Sequence, residues 1–480
     1  MRKLFLAWSL ASLLLCVGCG SSNGVKNFIP KGNFSNASLS GQYVYQISGV
    51  DFSNLVNVVQ YREAGVFTAD GKGNITSGTD DFSEGSGGVA TNAVSGSYSL
   101  SNDGTGRITL NGAGGIGLTF AVTVVSPSKV YLIEGDTFLN AAGVAEKQDT
   151  TVLSSLPSGA FAFRTHTLST GSVASVGAFT VTSGVVVGNE DVNRAGSTSS
   201  LTLSGSFNTP GALAPGRGTG TFTDSSPLTS SFIYYIVDAN NVRFLSSDPG
   251  ILGLGRAERQ SGTLALSGSY AFGGKGDTSV IGGANTVGAF TASGGNITAG
   301  AFDSVQDGNT STNVSITGGS YTPVSSAGRT TVTLNASTGT IHEIAWIVSP
   351  SRAFFLINDP SKVEDGTMDL QTVSSFSNST MNGQFAFVMD GFDPNPKDRV
   401  GTLQWDGNGN LTLNEFANAF GLTNIVVLPG TYSVSSNGRT TGSVSNLSNN
   451  LVFYLISGTD AYVLQNDSGV EVSGTISKQP

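Results

Sequence analysis

The residues able to do chemistry in this sequence are few. His166 and His342 are its two histidines, 176 residues apart. General acid–base work or zinc ligation would need carboxylates or further imidazoles clustered near them. Asp70-Gly71-Lys72-Gly73-Asn74 and Asp406-Gly407-Asn408-Gly409-Asn410 hint at a calcium loop. An EF-hand wants Gly at its sixth position and Glu at its twelfth. Position six here is Ile75 or Leu411, so both segments read as glycine turns. Four acids recur at Asp136, Asp248, Asp359 and Asp467, and four guanidiniums at Arg107, Arg217, Arg329 and Arg439. Each Asp falls ten residues after the residue that opens a tight turn (Ser126, Asp238, Ser349, Ser457). A binding carboxylate or a turn cap would both suit that regularity, and the cap is the reading adopted, because Asp bonds nearby backbone N–H groups. No catalytic residue, metal site or cofactor is assigned, and the chain is read as not an enzyme.

The elements that must position these residues come in four copies. A Gly before a large apolar residue recurs at Gly65, Gly177, Gly288 and Gly401, in steps of 112, 111 and 113 residues. Gly-Ser/Thr-aromatic recurs at 96–98, 205–207, 319–321 and 430–432, and the copies end on Gln148, Gln260, Gln371 and Gln479. An aromatic pair two residues apart opens each copy: Tyr43 and Tyr45, Phe161 and Phe163, Tyr270 and Phe272, Phe385 and Phe387. Residues 1–18 form a leader and 19–37 a Gly/Ser/Asn-rich tether. The repeats span 38–150, 155–261, 264–372 and 380–480.

Within a copy the pattern is all-β. Alternating segments at 42–46, 65–69, 74–76, 96–100, 107–110, 119–125 and 129–134, with a last strand ending at Gln148, are joined by turn residues. With a further short strand after Ser77, about eight strands are expected. Long links are expected at 48–60 and 79–92. No segment has sustained helical periodicity. The expected fold is four tandem antiparallel domains, each an eight-stranded up-and-down barrel of the calycin kind; the alternative is an Ig-like β-sandwich. Every link suits neighbouring strands, and closure removes exposed edges. A closed barrel requires the first strand of each copy to pair with its last. Trp346 and Trp405, the tryptophans beyond the leader, are expected in cores.

The N-terminus is a targeting segment. Arg2 and Lys3 precede an apolar run from Leu4 to Leu15, too short to span a bilayer comfortably. Cys16-Val17-Gly18-Cys19 follows. This resembles the lipobox of bacterial lipoproteins, although Cys16 stands where Leu is usual. The resemblance implies that Cys19 is lipidated and that the protein is exported, with Gly20 favouring the outer membrane. Both cysteines lie here, so the rest of the chain has no disulfide and no thiol nucleophile. Without Arg2 and Lys3 the chain holds 21 basic against 33 acidic residues, which argues against nucleic acid. Charged residues make up 12%, and 65 glycines suit a turn-rich exported β protein.

Leu39 to Tyr45 and Leu266 to Phe272 are similar to the first strand of avidin and lipocalin barrels, with Tyr or Phe in place of Trp. That resemblance implies an Arg packed on the first-strand aromatic, here Arg107 on Tyr43. The whole unit resembles a repeat of uncharacterised surface lipoproteins of environmental Gram-negative bacteria, which brings no established activity. The expected function is a non-enzymatic, membrane-anchored scaffold for adhesion, spacing or loop-mediated binding. The alternative is a small-ligand carrier using barrel interiors. The expected partner is the membrane, through the N-terminal lipid; a glycan, protein or small ligand is left open.

Overall fold

The computed structural model describes residues 32–480 apart from 54–58, 113–116, 212, 279–282, 394 and 446–449. The leader, Cys19 and most of the tether lie outside the described residues. The chain forms four tandem antiparallel closed barrels of eight strands each, with two single-turn 3₁₀ helices, Asn36–Ser38 and Asn378–Thr380. In the first barrel the strands are β1 (Ser40–Asp51), β2 (Val59–Asp70), β3 (Asn74–Glu84), β4 (Ala90–Leu100), β5 (Thr105–Gly112), β6 (Gly117–Ser126), β7 (Lys129–Glu134) and β8 (Leu139–Lys147). β1 pairs with both β2 and β8, with Tyr45 opposite Gly65 and Ala145. Strand order follows sequence order throughout, which excludes the Greek-key sandwich. The other barrels close alike, the fourth through residues 382–393 against 471–478 with the small added strand Asn395–Pro396 at its edge.

Two details of the expected strands change. No separate strand follows Ser77; β3 runs on to Glu84 across a register shift between Ile75 and Gly78. The links expected at 48–60 and 79–92 shrink to 52–58 and 85–89, because both flanking strands extend. Those extensions, such as Arg62 to Ala64 and Asp80, Asp81 and Ser83, are buried, and the neighbouring barrel gives Ala64 and Asp81 partners there.

The recurring Gly has a steric cause. In register, Gly65 faces Tyr45, Gly177 faces Phe163 and Gly288 faces Phe272. A Cβ on these glycines would lie 2.7, 2.6 and 2.4 Å from the facing ring. The glycine leaves the space over which the aromatic folds into the barrel. Tyr43 stacks on Phe67 at 5.5 Å between centroids, and Trp405 packs edge-on against Tyr432 and Phe453. Each barrel has its own apolar core.

Four further apolar clusters lie between barrels: first with second, second with third, third with fourth, and fourth with first. The last joins Ala121, Tyr131 and Ile133 to Ala386 and Val400, so the row of barrels closes into a ring. At every joint the first strands of one barrel meet the sixth to eighth strands of the next. Strands alternate their side chains between two faces, so a strand apolar on both faces must be covered outside as well as inside. The recurring Gln residues lock the ring. Gln148 Nε2 donates to Ile236 O, Gln260 to Ile347 O, Gln371 to Leu455 O, and Gln479 to Val124 O at 2.6 Å.

Candidate functional site

The recurring arginines serve the joints. Arg217 of the second barrel makes a two-pronged ion pair with Asp81 of the first, Nε at 2.7 Å and Nη2 at 2.8 Å. Arg329 binds Asp191 in the same way, and Arg439 binds Asp303. A polar aromatic from the strand beside each Arg also donates to that carboxylate: Tyr235, Trp346 and Tyr454. Burial of the acids is complete, so the pairing is obligatory. Trp346 therefore belongs to the second-to-third joint, not to the core of its own barrel. Strand alternation explains how Asp80 and Asp81 differ. Asp80 turns inward to accept from Tyr45 Oη at 2.9 Å, while Asp81 turns outward to Arg217.

The closing joint is built differently. In register with Asp81, Asp191 and Asp303 the fourth barrel has Phe416, and in register with Tyr235 the first barrel has Ala121. Arg107 lies over the Phe416 ring at 5.6 Å. This corrects the expectation that Arg107 packs on Tyr43, whose ring is taken by Phe67. The first strand's aromatics point inward, whereas Arg107 is on the outer face of β5. Asn418 and Asn140 tie the same joint, Asn418 Nδ2 donating to Glu134 O and Leu139 O, both at 2.8 Å, and Asn140 Nδ2 donating to Asn418 O at 2.7 Å.

The recurring Asp residues hold local backbone. Asp136 accepts from Thr119 N, Asp248 from Ser231 N, Asp359 from Ser361 N and Asp467 from Asn450 N. Asp70 and Asp406 likewise accept from the N–H groups of their own turns; those bonds and the Asn74 amide lower the Asp70 carboxyl to about 2. No group of three or more His, Cys, Asp or Glu side chains suited to a metal occurs among the described residues. His342 is exposed, with Thr333 Oγ1 3.4 Å from its ring.

The site that sequence reading missed lies on the axis of the ring. A cavity of about 540 Å³ is lined by all four barrels. Equivalent positions on the four first strands contribute Ser48, His166, Lys275 and Asp390, each three residues beyond the aromatic that faces the recurring Gly or its counterpart. Two residues further on stand Val50, Leu168, Asp277 and Phe392. His166 bridges barrels: Nδ1 lies 2.8 Å from Asp365 Oδ1 and Nε2 3.2 Å from Asp277 Oδ2. Arg164 shares Asp365, and Ser172 Oγ donates to Asp277. Lys275 pairs with Asp390 across the third-to-fourth joint. Burial disfavours the imidazolium, but the two carboxylates outweigh it and raise His166 to about 9.

Aromatic and branched side chains pack the barrel interiors, and the void in the fourth is about 10 Å³, room for at most one water. Burial raises the first barrel's interior acids, Glu63 and Glu134 well above the carboxylate range and Asp80 to about 6.

Neither a known protein family nor a curated protein sequence matches this chain. Among solved structures, the crystal structure of CghA is matched at 8% identity over 92% of this chain and 89% of that one, with a TM-score of 0.16.

Arg217→Ala leaves Asp81 buried without its counter-charge and should lower unfolding free energy by about 3–5 kcal/mol. Arg107→Ala, losing a cation–π contact, should cost only about 0.5–1 kcal/mol. Urea unfolding of both variants checks the ordering. The His166 contribution has a defined pH window. Its folded pKa lies above the unfolded value, so its stabilisation is complete below about 6.5 and is lost as pH rises through about 9. The stability difference between wild type and His166→Gln should shrink across that interval; a constant difference would show that His166 does not carry the charge.

Proposed function

We propose that this protein is an exported, non-enzymatic scaffold, tethered to a membrane by a lipid on Cys19. It presents a closed ring of four barrels whose link loops are available to a glycan or protein partner. The observation that carries this reading is where the chemistry-bearing side chains are spent. Three of the four recurring Arg residues and all four recurring Gln residues bond a neighbouring barrel, and the recurring Asp residues hold backbone of their own barrel. A side chain bonded in a buried joint is unavailable as a nucleophile or general base. The links at one rim also differ among copies, 85–89 in the first barrel against 195–196 in the second, on strands that otherwise repeat. Variable loops on a constant frame suit recognition.

The lipid anchor supports the scaffold reading through the tether: a ring reached by about eighteen Gly/Ser/Asn-rich residues stands clear of the surface that holds it. Intact-mass measurement should find Cys19 as the acylated first residue, and Cys19→Ala should move the protein from the membrane to the soluble fraction. Unchanged membrane fractionation of Cys19→Ala would defeat the anchoring claim.

A further inference from the structure

A groove of about 460 Å³ runs over the outer face of the fourth barrel to the third-to-fourth joint. Its floor follows from strand alternation. Tyr432, Val444 and Leu451 point into the core, so Thr431, Ser443 and Asn450 point out. These three are in register across neighbouring strands, Thr431 opposite Ser443 and Ser443 opposite Asn450. The row continues to Asn466, whose N donates to Asn450 O at 2.7 Å and whose Nδ2 donates to Thr312 Oγ1 of the third barrel at 2.7 Å. Hydroxyl and amide groups thus stand one per strand, about 4.8 Å apart, and end on a wall supplied by the neighbouring barrel.

The wall exists because this joint departs from the first two. Thr91 and Ser200 lie in register with Asp81 and Asp191 and donate their hydroxyls to those acids. In the third barrel the register shifts between Phe302 and Ser304, with Asn313 at a φ of 50°. Asp303 there accepts from Asn313 N at 2.9 Å, and the Thr312 hydroxyl turns to Asn466 instead. Bulges re-aim side chains in this way beside functional sites.

The lining has a chemistry of its own. Its one charged residue is Arg439, which Asp303 neutralises through two bonds of 2.7 Å. Thr431, Ser433, Thr441 and Ser443 are exposed, and among the described residues their hydroxyls have no protein partner. Part of the row recurs: Ser97 beside Thr109, Ser206 beside Thr221 and Ser320 beside Thr333 hold the positions of Thr431 and Ser443. Protein–protein hot spots are anchored by exposed aromatics and arginines, and here Tyr432 is buried and Arg439 is paired. Hydroxyls and amides both donate and accept, which suits a partner made of hydroxyls. An uncharged lining on a chain of net charge −10 disfavours an anionic polymer.

We propose that this groove binds a neutral polysaccharide, its chain laid across the strands so that successive sugars meet Thr431, Ser443 and Asn450 and its end meets Thr312. The strand spacing is close to the length of one pyranose in an extended chain, so each sugar finds a rung. At about 460 Å³ the groove lies within the roughly 300–1,000 Å³ of small-molecule sites. This rests on the scaffold reading for a binding role; of the partners left open there it takes the glycan, and it places the site on a strand face rather than on the link loops.

The test is affinity electrophoresis of the full-length protein in non-ionic detergent. The gels carry a mixed-linkage β-glucan, a glucomannan or a galactomannan as neutral probes, with polygalacturonate as the anionic control. At least one neutral polymer should bind the wild-type protein ten-fold or more tightly than polygalacturonate does. Thr431→Val combined with Ser443→Ala should weaken that binding at least ten-fold, and Thr312→Trp, which fills the groove from its wall, should do the same. The proposal is overturned if no neutral polymer outbinds polygalacturonate in the wild-type protein, a result that needs no variant to fold. It is equally overturned if either variant, with an unchanged thermal melt, binds as wild type does; the glycan then sits elsewhere on the scaffold. Membrane fractionation of both variants should match wild type, so failure here leaves the scaffold reading standing.

Discussion

A buried carboxylate must find its counter-charge, and in this chain the counter-charge belongs to the next barrel. Asp81, Asp191 and Asp303 lie on outward faces of their barrels, and Arg217, Arg329 and Arg439 reach them from one repeat onward. Each pair is worth little as a net gain, because desolvation offsets attraction, but breaking one is costly. The pairs therefore fix which faces meet. Apolar clusters at the same joints supply the area that makes meeting favourable. Similar joints repeated along the row at a constant turn have to close or form a spiral. Here it closes, and the residues at the closing joint have changed accordingly: Phe416 replaces the acid and Arg107 lies over its ring.

Much of the single-barrel fold was legible in the sequence. The Gly that faces a first-strand aromatic, the turn residues and the neighbour-to-neighbour links imply closure, and Tyr45 opposite both Gly65 and Ala145 is that closure. The ring was not legible, for two reasons. The Arg marker recurs in all four copies, but its acid partner recurs in only three. The Gln marker bonds backbone carbonyls, which leave no trace in residue type. The reading of Arg107 came from a resemblance to other barrels, where an outer-face partner one repeat away has no counterpart. Strand ends were set too short at Arg62 and Asp81 because buried charged residues read as loop until a second barrel is there to bury them.

The axial cavity was illegible for a related reason. Its lining comes from four copies at equivalent positions, but those positions hold a hydroxyl, an imidazole, an ammonium and a carboxylate, so no motif appears in any one repeat. His166 looked isolated in sequence, and its carboxylate partners come from residues 277 and 365 of the following copy. Ring closure places the repeated Arg–Asp pairs in three of the joints and leaves unrepeated charges around a shared space.

Small-angle X-ray scattering of residues 32–480 tests the closed ring most directly. A barrel of about 110 residues has a radius of gyration of about 13 Å. Four of them in a ring should give about 23–25 Å, and four in a row about 33–36 Å, from that same barrel size. The account predicts the smaller value, unchanged between low and moderate salt because the apolar clusters hold the joints. A radius above about 33 Å would mean separate barrels on a string, and the ring, its closing joint and its axial cavity would all be wrong.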